Sequence, residues 1–451
     1  MKSAISRRHF ISNTAATLAG TASAMSALSY GRINGANDRV NLAFLGCGGR
    51  SRGHRNMVEM CRKEKNLGVV AVCDIWSLNR EHAAADCKRR FGSDVKQFQY
   101  SEQLLAMPEL DGVMIATGDH QHAKVLAEVV KAGKDCYCEK PMAIDLEEAS
   151  IARETVLKSR QVVQIGSQWV SDPYQMRVRE IVQSGKLGQI TKIEQVWNDN
   201  GPRWHDPKDP DVAAIRKEDT DWNRWLLGKP DTPFDPWKYF EFRIFRDYSG
   251  GITSQWLSHA IGLVHFYTGT AIPDSMVAHG GIFAWPDIRQ NPDTFQCLAT
   301  YDEARLLHSY SSSYGSRFGE YTCIRGKEVT LYAQGGEGSP RWFLIPEQVR
   351  EDAFDRFDGL GEMVKKGKAQ LVTLPGHEQE LPPTHLSDDS KPHLNNWIDC
   401  MRARNLMTNG HIQTGFWHSV GAIMATRAYR EGKKMYWDRS KEEIVDHPLR
   451  G

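Results

Sequence analysis

Val40-Asn41-Leu42-Ala43-Phe44-Leu45-Gly46-Cys47-Gly48-Gly49-Arg50-Ser51-Arg52-Gly53 is the stretch that decides the fold. Val40–Leu45 is a short apolar run of strand length, Gly46 to Gly53 reads as a turn, and a helix is predicted over 56–64. Glycines let a backbone approach a pyrophosphate, whose charge then sits at a helix N-terminus. Ser51 occupies the third glycine position of the usual G-x-G-x-x-G, so the context has to carry the reading. It does so through a second apolar run, Leu67–Cys73, which ends at Asp74. A carboxylate there would accept hydrogen bonds from a ribose hydroxyl pair and repel a 2′-phosphate, so NAD is expected rather than NADP. Gly46, Gly48, Gly49, Arg50 and Asp74 are the first candidate cofactor contacts.

Outward from this stretch, strand-like and helix-like runs alternate as far as residue 165. Helices are predicted over 80–91, 123–132 and 146–159, and strands over 110–116, 135–138 and 161–165. Strands separated by helices of about this length imply right-handed βαβ units and a parallel sheet. The third strand runs into Ala116-Thr117-Gly118-Asp119-His120-Gln121-His122, and loops at the carboxyl end of such a sheet face the cofactor. Thr117 belongs to that loop. His120 or His122 could contact the nicotinamide end, or both could be solvated loop histidines. The next strand runs into Tyr137-Cys138-Glu139-Lys140-Pro141-Met142. Proline fixes φ and cannot continue a ladder, so Lys140 is held at the mouth of the strand.

Past residue 166 the pattern changes. Residues 190–196 alternate like a half-exposed strand, and 198–247 are irregular and rich in Pro, Asp and Trp, a length that suggests a functional insertion. Five of the chain's 13 tryptophans, Trp204, Trp222, Trp225, Trp237 and Trp256, fall between residues 200 and 260. Flat rings with a polar edge suit sugar faces and equally suit cores. A helix is predicted over 251–266. Antiparallel strands are predicted over 275–284, 295–301, 305–311, 320–324 and 328–333, then a loop-rich stretch over 335–390. Helices over 392–404 and 414–431 close the chain. The expected fold is α/β: an N-terminal Rossmann dinucleotide-binding domain over 39–165, then a C-terminal α+β domain over 166–451 with a large, mostly antiparallel sheet.

At 451 residues the chain has room for two or three domains. A formal net charge of +1 gives no reason to propose nucleic acid or an acidic membrane surface as partner. Ser6-Arg7-Arg8-His9-Phe10-Ile11, an apolar stretch and Ala22-Ser23-Ala24 read in order as a twin-arginine signal peptide over residues 1–30. Export by that route to the periplasm implies folding in the cytoplasm, which suits a protein that must trap a cofactor. No later segment reaches the ~18 apolar residues of a membrane span. The nine cysteines match no metal spacing, so neither a metal site nor a disulfide framework is expected.

With these pieces in order the chain resembles the Gfo/Idh/MocA family of oxidoreductases from about Arg39 onward. The motifs that carry the resemblance are Glu139-Lys140-Pro141 and the Thr117–His122 loop, in which Gly118 takes the proline position. The resemblance implies a lysine, here Lys140, that contacts both the nicotinamide region and substrate. It also implies sugar or cyclitol substrates and a homo-oligomer, a dimer or tetramer. The family's Asp-x-x-x-His pair falls on Gln255 and His259. Gln255 replaces the aspartate; it can orient a ligand but cannot act as a base. Proton transfer is therefore expected of His259, with Lys140 polarising the substrate oxygen. Trp169, Arg177, Trp204, His205, Tyr239, Arg243 and Gln255 are the candidate substrate wall. Three activities are compatible with these residues: a dehydrogenase acting on a ring hydroxyl or ketone of a sugar or glycoside, a redox-type glycosidase with a retained NAD, and a non-catalytic sugar-binding protein.

Overall fold

In the computed structural model, residues 38–334, 341–348, 359–373, 375 and 390–449 are described. The expected signal over residues 1–30 lies outside them. A six-stranded parallel sheet is built from β1 (Val40–Leu45), β2 (Leu67–Cys73), β3 (Lys96–Phe98), β4 (Gly112–Ile115), β5 (Asp135–Glu139) and β6 (Val163–Gly166), in the order β3-β2-β1-β4-β5-β6. Nearly every residue of its central strands is buried, because helices cover both faces. Strand order reverses between β1 and β4, and a crevice opens at their carboxyl ends, the usual place for a ligand in an open α/β sheet.

The helix after the glycine turn spans Gly49–Cys61, seven residues earlier than its sequence suggests. The apolar periodicity starts late because the first helical turn faces the crevice and not the core. Strand β3 has an exposed, polar pattern and gave no apolar signal.

A ten-stranded sheet follows, in the order β14-β13-β12-β11-β7-β10-β9-β8-β15-β16. Its strands are β7 (Ile190–Asn198), β8 (Ser275–Gly281), β9 (Thr294–Tyr301), β10 (Leu306–Ser313), β11 (Tyr321–Gly326), β12 (Val329–Gln334), β13 (Arg341–Pro346), β14 (Gln370–Leu371), β15 (Met435–Asp438) and β16 (Glu443–Val445). Neighbours are antiparallel except for β7 and β10, which run parallel. Burial alternates strictly along β10, so one face packs on helices and the other does not. Strand β13 and a helix over Gly359–Lys365 lie in the stretch expected to be loop-rich.

The two sheets do not divide the chain cleanly at residue 166. Helix Ser390–Ala403 returns to the first sheet, where Leu394, Trp397, Ile398 and Met401 join Leu42, Phe44 and Val69 in one core. Trp397 Nε1 donates to the Val162 carbonyl at 3.1 Å, and a Cβ at Gly112 would lie 3.0 Å from the Trp397 ring. The Rossmann sheet is thus completed by residues more than 200 positions downstream. All nine cysteines are buried and unpaired, with thiols pushed up by burial.

Candidate active site

Two cavities meet at the switch point. The outer one, about 310 Å³, is lined by the Gly46–Arg50 turn, Asp74, Ile75, Asn79, Thr117 and, from the insertion, Trp225, Leu227, Tyr239, Phe240 and Phe242. The inner one, about 320 Å³, is lined by Asp119, His122, Glu139, Lys140, Gln168, Trp169, Gln255 and His259. Arg50, Ala116, Thr117 and Arg243 border both. Both are at the small end of ligand pockets, about 300–1,000 Å³, and together they make one elongated site.

The outer cavity has the build of a dinucleotide cradle. Gly46 has φ +81°, and a Cβ there would stand 2.7 Å from the Ala116 carbonyl group. The two strand ends approach so closely because the residue lacks a side chain. Gly46→Ala is expected to destabilise the protein by about 2 kcal/mol or more through strain at positive φ. It is expected to abolish NADH binding in a fluorescence titration; unchanged affinity would remove the turn from the cofactor site.

Asp74 Oδ2 accepts from Cys47 N–H at 2.7 Å and Oδ1 from Trp76 N–H at 2.9 Å. Burial pushes this carboxyl up, and those two N–H groups oppose the shift. The carboxylate therefore ties the end of β2 to the glycine turn as well as facing the cavity. The Thr117 hydroxyl is buried without a partner and borders both cavities, an unspent hydrogen bond for a ligand.

The inner cavity is organised by Glu139 and Lys140 at the end of β5. Glu139 Oε1 accepts from Arg50 Nε at 2.7 Å, His54 Nε2 at 2.8 Å and Gln168 Nε2 at 3.1 Å. Burial would raise this carboxyl, but the Arg50 charge and the His54 bond hold it well below the usual carboxylate range. Burial keeps His54 neutral, so it serves as an Nε2–H donor and the ion pair is with Arg50. Gly166 is needed opposite: a Cβ there would lie 2.9 Å from the Glu139 carboxyl. Glu139 thus holds Arg50 at the boundary of the two cavities.

The Lys140–Pro141 peptide is cis. Lys140 Nζ donates to the Gln255 backbone carbonyl at 2.7 Å and to its Oε1 at 3.3 Å. Burial lowers the Lys140 ammonium to about 8, against the pull of Asp119 and Glu139. Gln255 sits in a single π turn, Thr253–Leu257, which opens into helix Ser258–Thr268. The sequence suggested one continuous helix over 251–266. The hydroxyls of Thr253 and Ser258 bond back to the Gly250 and Ser254 carbonyls, and such bonds loosen a helical turn. π turns recur at functional sites, and here one presents the Gln255 carbonyl to Lys140.

His259 projects from that helix into the inner cavity, its ring 4.7 Å from Trp169 and tilted by 33°. Among the described residues no protein hydrogen bond to its ring is seen. Burial first, and the Lys140 charge second, push its imidazole well below its ordinary value, so it is neutral and able to accept a proton.

Other candidates are placed elsewhere. His120 Nε2 bonds the Trp225 carbonyl at 2.9 Å and its ring packs on Trp225 and Tyr248; it lines neither cavity and anchors the insertion. His122 does reach the inner cavity, but its ring joins the Pro141 and Thr117 carbonyls at 2.8 and 3.2 Å, bracing two site loops. Tyr239 faces the outer cavity, not the substrate wall. Arg177 pairs with Glu180 on the surface of its helix, His205 with Glu241, and Trp204 packs edge-on against Tyr314; none of the three lines either cavity. Sequence reading missed Asp119, Gln168 and His54. The first lies in the Thr117–His122 loop, immediately before the two histidines. The other two are polar residues in runs that pattern cannot distinguish from surface.

A doubly wound sheet with a glycine turn under its switch point and a cradle beside a buried carboxylate defines a dinucleotide-binding Rossmann domain. Residues 40–167 match the family model GFO_IDH_MocA, described as "Oxidoreductase family, NAD-binding Rossmann fold"; this part of the chain is an NAD-binding Rossmann domain similar to those of that family. The chain is 28% identical over 194 residues to inositol 2-dehydrogenase 2 of Saccharopolyspora erythraea, covering 42% of this chain and 54% of that protein. It is 25% identical over 199 residues to the rhizopine catabolism protein MocA of Rhizobium meliloti, covering 44% and 60%. The chain thus spans little more than half the length of these curated relatives. Among solved structures, a levoglucosan dehydrogenase in complex with NADH and L-sorbose superposes with a TM-score of 0.63 at 16% identity, covering 91% of this chain and 99% of that one. The WlbA dehydrogenase from Bordetella pertussis, in complex with NADH and UDP-GlcNAcA, gives 0.61 at 16%, covering 91% and 100%. At such identity these two establish likeness of fold across both sheets.

Proposed function

We propose that the protein is an NAD-dependent oxidoreductase that oxidises or reduces a ring hydroxyl or ketone of a sugar or glycoside. The observation that carries this is the pairing, in one cavity, of the Lys140 ammonium with a neutral His259 whose ring has no hydrogen-bond partner among the described residues. NAD, when bound, supplies the hydride acceptor. Lys140 polarises the substrate oxygen as it becomes a carbonyl, and His259 takes the hydroxyl proton. Trp169 gives an apolar face suited to a sugar ring. The names of the relatives, which speak of inositol and levoglucosan dehydrogenases, support the carbohydrate class.

The insertion lays Trp225, Leu227, Tyr239, Phe240 and Phe242 along the cofactor cavity, which favours a tightly held NAD. A retained cofactor also suits the second reading, a glycosidase that oxidises, eliminates and then reduces without net NADH. Both are tested together. Purified protein is expected to release dinucleotide on denaturation, and a panel of sugars and glycosides is followed by NADH absorbance and by product analysis. Free aglycone without NADH selects the glycosidase. No dinucleotide, together with no binding on titration, would leave only a non-catalytic sugar-binding protein. The reading extends to a homo-oligomer exported through the Arg7-Arg8 signal to the periplasm, checked by sedimentation and by cell fractionation.

A further inference from the structure

Gln255 stands where the resembled family carries an aspartate, yet the inner cavity does not lack a carboxylate. Asp119, on the loop after β4, is 3% exposed and lines the inner cavity but not the outer one. Its Oδ2 accepts from Gln255 Nε2 at 2.6 Å and from Ser249 Oγ at 2.7 Å. An ionised carboxylate only accepts hydrogen bonds, so it commits the amide nitrogen of Gln255 to itself. The amide oxygen is then turned to Lys140 Nζ, beside the backbone carbonyl that holds the same ammonium. Carboxylate, amide and ammonium stand in series across the boundary between the two sheets.

We propose that Asp119 is a positioning residue of this site: from the Rossmann-side loop it supplies the carboxylate that the substrate-side helix lacks, and through Gln255 it fixes Lys140 in place as a cation. The inference deepens the oxidoreductase reading and rests on it for the role of Lys140. The charge arrangement agrees. Lys140 is faced by Asp119 and Glu139, which favour its charged form, and by Arg50 and Arg243, which disfavour it; His259 and His418 also lie within its field. Of the two carboxylates, Glu139 is already engaged by Arg50 and His54, while the hydrogen bonds Asp119 accepts among the described residues come from the neutral donors Ser249 and Gln255, with the Arg243 charge also in its field.

The test compares the parent protein with Asp119→Asn and with the isosteric exchange Asp119→Asn/Gln255→Glu. The first readout is the pH midpoint of Lys140 acylation, followed by peptide mass spectrometry with an amine-reactive ester. The second is kcat against pH, and the third is NADH titration. Asp119→Asn is expected to lower the Lys140 midpoint by about one unit and to move the alkaline limb of the rate with it. The cause is twofold: the charge is gone, and an asparagine, which can donate as well as accept, no longer dictates which way the Gln255 amide points. The exchange returns a carboxylate beside Lys140 and is expected to restore the midpoint and most of kcat. NADH affinity is expected to stay the same in all three.

An unmoved midpoint in Asp119→Asn, or no recovery in the folded exchange variant, overturns the proposal. Where Asp119→Asn yields no folded protein, Gln255→Met breaks the series at its centre and is read by the same midpoint, again expected to fall. The acylation readout needs no substrate. A parent protein without turnover on any carbohydrate would therefore remove the functional reading alone, and an unmoved midpoint would remove the Asp119 series alone.

Discussion

Lys140→Ala is expected to lower kcat at least about 10³-fold, near the upper end of what one positioned acid–base group contributes, with NADH affinity changed little. The ammonium does not line the outer cavity, so the cofactor keeps its cradle. What is lost is the cation that stabilises charge on the substrate oxygen as it develops. In the parent protein the same group sets a pH limit. Its folded-state value lies near 8, below that of a free lysine, because burial disfavours the charge. The cation is present below that point and lost above it, so kcat/KM is expected to fall through an alkaline limb near pH 8. His259 is already neutral far below neutrality, so no matching acid limb is expected from it near pH 6. Lys140→Arg keeps a charge whose loss lies far above this range and is expected to abolish the limb while lowering the rate. A limb unchanged in Lys140→Arg would assign it to another group, and near-normal kcat in Lys140→Ala would remove Lys140 from the chemistry.

The half of the site built from contiguous sequence was legible. The glycine turn, Asp74 at the end of β2 and Glu139-Lys140-Pro141 at the end of β5 are each local, and strand–helix alternation fixes which ends of the strands come together. What could not be read is contact across the sheets. Asp119 was quoted in the sequence as one letter of a loop, and its meaning appears only once Gln255, 136 positions away, is seen to donate to it. The reverse error has the same origin. His205 and Arg177 looked like site residues by type, but each is paired with an acidic neighbour in its own segment. The insertion was legible as an insertion. Its length and tryptophans gave no hint that Trp225, Tyr239, Phe240 and Phe242 cover the cofactor side, while among the described residues Trp169 is the tryptophan on the wall of the inner cavity. Nor could periodicity reveal that the helix carrying Trp397 belongs to the first sheet, since its apolar face reads the same whichever core receives it.

Glu139→Ala is expected to be the most damaging substitution to the fold. It removes the acceptor shared by Arg50, His54 and Gln168. Arg50 is 39% exposed on its side chain and can turn to water, so its charge adds little to the loss. His54 is fully buried and Gln168 nearly so; Gln168 keeps its bond to the Tyr137 hydroxyl, but His54 Nε2 loses its acceptor, and Nδ1 has no partner among the described residues. An orphaned buried donor and the space left by the side chain together cost about 3 kcal/mol, which in a chain this long corresponds to a fall in melting temperature of roughly 3–4 °C. Glu139→Gln separates charge from hydrogen bonding. Its amide oxygen still accepts from His54, so most of the stability is expected to survive, while Arg50 is released from the boundary between the cavities and NADH affinity falls. The sign of the pH effect follows from the same carboxylate. Its folded-state value lies below the unfolded one, so its contribution is complete above about pH 4.3 and is lost progressively as the pH falls below that. Melting curves at pH 7 and pH 3.5 are expected to show the parent losing part of its margin over Glu139→Gln at the lower pH. An equal margin at both would mean that the Arg50–Glu139 charge pair does not hold this junction together.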